Sequence, residues 1–65
     1  SLESLLMRAR IQAENGLDDQ TIQEHLDLMA LIHSVRFGGK QAPDDLDSRA
    51  IDLIRRLNGL QKEAS

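Results

Sequence analysis

Two interruptions, Asn15-Gly16-Leu17-Asp18-Asp19 and the run from Phe37-Gly38-Gly39 to Pro43-Asp44-Asp45, cut this chain into three stretches whose apolar residues recur at helical spacing. No segment alternates apolar and polar residues as a half-buried strand does. The first interruption predicts a helix stop, with Gly16 in the left-handed conformation and Leu17 folded back on the preceding turn. Thr21 to Glu24 has capping-box spacing, and Asp18 or Asp19 can cap one turn earlier. In the second interruption two glycines end one helix, and Pro43 with the following acids opens the next. Helices are expected over about 2–14, 19–36 and 44–58. The fold class is then all-α: one small three-helix domain over residues 1–65, its second and third helices forming an antiparallel hairpin through Gly38-Gly39. Asn-Gly-Leu recurs at 58 to 60, where it reads as a second helix stop, leaving residues 61 to 65 as a frayed tail.

A 65-residue chain buries about 60% of its unfolded surface, so little apolar material can be spared. Leu, Ile, Val and Phe make up 18 residues, enough for a packed core, and Phe37 is the sole aromatic, so that core is aliphatic. With no Cys there is neither a disulfide nor a thiolate metal site. Domains this small commonly need a staple, a metal, a partner or very regular helix packing, and the chain is therefore expected to be oligomeric.

The third stretch has one clean stripe: Leu46, Ala50, Leu53, Ile54, Leu57 and Leu60 share an arc of about 120°, with Ile51 outside it. In the first, Leu2, Leu5, Leu6, Ala9 and Ala13 share a face, leaving Met7 and Ile11 opposite. The second has apolar residues to excess. Ile22, Leu26, Met29, Ala30 and Phe37, with His33 among them, form one face, and this is expected to meet the core. Leu28, Leu31, Ile32 and Val35 form another, about 100° to 140° away. A helix packed on one neighbour needs a single stripe, so the second helix is either wedged between two neighbours or lends this second face to another chain, and the second arrangement is the one expected. The expected partner interface is Met7, Ile11, Leu28, Leu31, Ile32 and Val35.

No constellation points to catalysis, and none of the residues is assigned as a catalytic, cofactor-binding or metal-binding group. His25 and His33 stand eight residues apart, about 12 Å along a helix and 80° around it, too far to share a metal within one chain. His33 is expected to be packed and His25 solvated at an edge. Ser34 adjoins His33, but helix neighbours point about 100° apart and do not form a nucleophile and base. Asp18-Asp19 and Asp44-Asp45 sit where helix caps belong, without the 12-residue loop and terminal Glu of an EF-hand. Gly38-Gly39-Lys40 lacks both the preceding strand and the spacing of a phosphate-binding loop.

The formal net charge of -3 disfavours nucleic acid as a partner, because phosphate neutralisation supplies most of such affinity. No run approaches the ~20 apolar residues that span a bilayer, and no secretory leader opens the chain, so a cytoplasmic location is expected. The function expected is a non-catalytic protein-protein interaction module for oligomerisation, docking or adaptor work, with protein as partner, foremost a second copy in a homodimer or other helical oligomer. A reading from a different class is a small dimeric helical transcription regulator with Arg8, Arg10, Arg55 or Arg56 on DNA. The spacing around Gly38, Gly39 and Pro43, with the leucine stripe that follows, also resembles the small co-chaperones of type III secretion needle subunits. That resemblance implies a helical hairpin binding a secreted subunit, although that family often carries aromatic residues in its last helix and this chain has none there.

Overall fold

The computed structural model describes residues 1–13 and 16–64, with side chains described through residue 60. It contains three helices, α1 (Leu2–Gln12), α2 (Asp19–Phe37) and α3 (Leu46–Ala64), and no strand among the described residues. The all-α class is therefore correct. Residues 14 and 15, where α1 was expected to end, lie outside the described residues.

Local chemistry sets the helix limits. The Ser1 hydroxyl accepts from the Ser4 N–H at 3.3 Å at the start of α1. Asp18, rather than Thr21, caps α2: its carboxylate accepts the Thr21 N–H at 2.8 Å. The Thr21 side chain first, and then this backbone bond, favour the charged form and hold the Asp18 carboxyl below its ordinary range. At the far end, the N–H groups of Gly38 and Lys40 both donate to the Ser34 carbonyl, at 2.9 and 3.2 Å. Between them Gly39 has φ +72°, a left-handed conformation in which a Cβ would be strained. Asp44 and Asp45 form a turn, so α3 begins at Leu46, two residues later than expected. The Asp45 carbonyl accepts both the Arg49 N–H and the Ser48 hydroxyl.

Two expectations about glycine are corrected. Gly16 is not left-handed, since Gly39 is the one described glycine with positive φ. Its smallness serves close approach instead, because a Cβ there would stand 3.3 Å from the Leu60 Cβ. Nor does Asn58-Gly59-Leu60 stop α3, which continues to Ala64. A mid-helix glycine costs about 1 kcal/mol relative to Ala, and here the helix is held on both sides of it by Leu57 and Leu60 in or against the core.

The core comprises Leu6, Ala9 and Ala13 of α1 and its end, Leu28 and Ile32 of α2, and Leu46, Ala50, Leu53 and Leu57 of α3. Ile54 and Leu60 pack against it and Ile51 is exposed, as the single stripe of α3 requires. Leu5 departs from the expected α1 face: it is half exposed at the edge of the contact. The closest helix pairing is α1 with α3, not α2 with α3. Ala9, Ala13 and Ala50 explain this, since short side chains let two backbones approach, whereas α2 turns His25, Leu28 and Ile32 inward and stands farther off.

Leu57 has no exposed surface. Leu57→Ala is expected to lower unfolding free energy by about 2 to 5 kcal/mol in urea titration, whereas Ile51→Ala, on the outer face, should change it by less than about 1 kcal/mol. A Leu57→Ala loss below about 0.5 kcal/mol would contradict the placement of the core.

Candidate functional site

The orientation of α2 decides which surface is free. The sequence expectation for this helix is reversed: Leu28 and Ile32 are only 2% and 8% exposed, with Leu31 and Val35 packed against the core beside them. Leu28 and Ile32 therefore cannot centre a free interface. Leu26 and Phe37, expected inside, are exposed, and Ile22 and Met29 are half-buried. Met7 and Ile11 of α1 are exposed, Ile11 to 64%.

The histidines exchange places as well. His33 is exposed on the outer face, its ring 4.8 Å from that of Phe37 and tilted by 49°. The Arg36 guanidinium lies 5.3 Å from the same Phe37 ring. His25 is the buried imidazole, 1% exposed, and neither ring nitrogen has a hydrogen-bond partner. Leaving a buried polar group unpaired costs about 1 to 3 kcal/mol. Burial pushes the His25 pKa below its ordinary value, and the positive charge of Arg10 adds to the effect; the nearby Leu6 backbone opposes it without meeting hydrogen-bond geometry. The signal for this placement was present in the spacing of His25, Leu28, Ile32 and Val35, which recurs at three, four and three residues. Because its first member is polar, that row looks one residue short in the sequence.

With the core row turned inward, the other face of α2 meets Met7 and Ile11 along an open groove of about 630 Å³. Met7 and Ile11 form one wall and Met29 the other, with Glu3, Ser4, Arg8 and Gln12 around them. A second hollow, lined by Arg10, Ile11, Leu17 and Ile22, shares Ile11 with the first. Leu26 lies between Ile22 and Met29 on the same helical face. Met7, Ile11, Leu17, Ile22 and Met29 thus line two hollows that share Ile11 and together make an apolar strip across α1 and α2. Such a strip can bind an apolar surface, and two methionines let it adapt to the shape of what it meets.

The arginines do not gather into one stripe. Arg8 borders the Met7 groove and a hollow shared with Ile54 and Asn58, whereas Arg10 lies beside Leu17 and Ile22. Arg56 is occupied: it forks onto the Glu24 carboxylate, with one bond at 2.9 Å, and its Nε meets Asp52 at 3.1 Å. This bonding holds the Glu24 carboxyl below its ordinary range and raises the Arg56 pKa. Arg36 reaches back to Glu3 at 3.0 Å, tying the end of α2 to the start of α1.

Among the described residues no three His, Asp or Glu side chains converge as metal ligands would. No described helix is long and apolar enough to cross a membrane. No family model, curated protein or solved structure matches the chain.

Glu24 and Arg56 are each nearly half exposed, so their pairing is worth little despite its geometry. A double-mutant cycle with Glu24→Gln and Arg56→Gln should give a coupling below about 1 kcal/mol that shrinks with added salt. Because the Glu24 pKa is lowered on folding, that contribution is present above the ordinary value of 4.5 and lost as pH falls below it. A coupling above about 2 kcal/mol at high salt would make the pair a structural clamp instead.

Proposed function

We propose that this chain is a non-catalytic protein-protein interaction module, and that its interaction surface is the apolar strip across α1 and α2. The supporting observation is the exposure of Met7 and Ile11 of α1 around one groove with Met29 of α2, together with the exposure of Leu26 on α2. Each leaves roughly half of its side chain in water, and covering that half is worth about 1 kcal/mol per residue. The partner in this reading is a second copy of the chain. The groove is rimmed by Glu3, which is paired with Arg36, and by Arg8, so it has no strong field of one sign to repel a copy related by a two-fold axis.

In this reading the α2-α3 pair forms the antiparallel hairpin that supports the surface, with the Glu24-Arg56 bond joining its two arms. The interface differs from the one expected from sequence. It keeps Met7 and Ile11 and exchanges Leu28, Leu31, Ile32 and Val35 for Leu26 and Met29. The DNA-binding alternative draws less support, because Arg56 is engaged by Glu24 and Asp52 and the arginines of α1 border separate hollows.

Sedimentation across a wide concentration range tests this. The parent should shift from monomer toward dimer with rising concentration, and its melting temperature should rise with it. Ile11→Asp and Leu26→Asp should each abolish the shift and leave the helical circular-dichroism signal intact. A parent that stays monomeric at millimolar concentration would contradict the self-pairing reading.

A further inference from the structure

A polar ring enclosed by the core with both nitrogens unpartnered has no structural advantage over a leucine at the same place, so its chemistry is what sets it apart. We propose that His25 is an acid-sensitive switch, whose protonation opens the seam between α1 and α2. His25 is 1% exposed, and a proton placed on it would create a buried cation with no acceptor.

The groups facing it make that worse. From α1 the charged neighbour is Arg10, a like charge, and the Leu6 backbone gives no bond of acceptable geometry. From α3 no charged group acts on the ring, and the residues that helix buries, Leu46, Ala50, Leu53 and Leu57, are apolar. On its own helix the adjacent acid, Glu24, is held by Arg56 and turned to the α2-α3 flank. An imidazolium is therefore relieved by leaving the core for water, and α2 must part from α1 around residue 25 for that to happen.

The direction follows from linkage. The unfolded or opened chain takes up a proton near pH 6.5, and the closed chain does so only at lower pH, so the closed state is fully favoured above 6.5 and loses ground below it. One proton is involved, so the closed-to-open ratio falls by up to tenfold per pH unit. The lowered carboxyls of Asp18 and Glu24 act in a more acidic range and leave the interval from about 6.5 to 5 to the imidazole. The seam also carries the two walls of the Met7 and Met29 groove, so acid would dismantle that surface. This consequence rests on the proposed interaction, whereas the opening itself does not.

Urea denaturation at a series of pH values, followed by circular dichroism, tests the switch. The parent should lose stability between pH 6.5 and 5, with the folded-to-unfolded ratio falling up to tenfold per unit. His25→Leu and His25→Gln should remove that slope, and His33→Gln should keep it. NMR of the parent imidazoles adds a readout independent of the variants' folding: the native His25 ring should take up its proton only below its ordinary pH of 6.5. A flat parent profile, a slope retained in either foldable His25 variant, or a native His25 that titrates at or above its ordinary pH would each overturn the proposal. Dimerisation enters none of these readouts, since each is made at concentrations where the parent is monomeric.

Discussion

Burial of the single apolar row on α3 is the constraint on which the rest of this structure depends. Leu46, Ala50, Leu53 and Leu57 are buried, and α1 and α2 both dock on that helix. No disulfide assists, and the described ion pairs lie at the surface, where each contributes little. The core is aliphatic, and its shape is set by the sizes of its residues. Alanines at 9, 13 and 50 bring α1 and α3 together, and the larger residues of α2 fill the side that remains.

That division of space explains why α2 exposes so much apolar surface. The helix has apolar residues on two faces, and a three-helix bundle gives it one core to meet. The face holding His25, Leu28 and Ile32 is inside, and the face holding Leu26 and Phe37 remains in water. Met7 and Ile11 stay outside for a related reason: α1 commits Leu6 and Ala9 to the core, and its opposite side borders the same groove. The candidate surface is thus a by-product of which residues the core accepts.

How far the sequence discloses the fold varies by helix. In α3 the stripe is narrow and unambiguous, and every residue assigned to it is buried or packed against the core. In α1 Leu6, Ala9 and Ala13 were equally legible, and Leu5 was not, because a five-residue face is wider than the contact it makes. In α2 two faces of similar apolarity compete, and periodicity alone does not rank them. The choice turned on His25, which reads as polar in sequence but completes the row that packs. The end of α3 was hidden for another reason. Asn-Gly is a local stop signal, and tertiary contacts of Leu57 and Leu60 outweigh it. For the candidate site, Met7 and Ile11 are visible in the sequence as the outer side of α1, while its α2 wall is not, because two faces of that helix are similarly apolar.

The central claim is therefore the rotation of α2 about its own axis, since the core, the buried imidazole and the exposed groove all follow from it. Side-chain methyl NMR with a soluble paramagnetic probe measures that rotation directly, at a concentration where the chain is monomeric. The account predicts that the methyl signals of Leu28, Ile32, Leu53 and Leu57 keep their intensity while those of Leu26, Ile11 and Ile51 are broadened. Broadening of Leu28 and Ile32 with protection of Leu26 would contradict it.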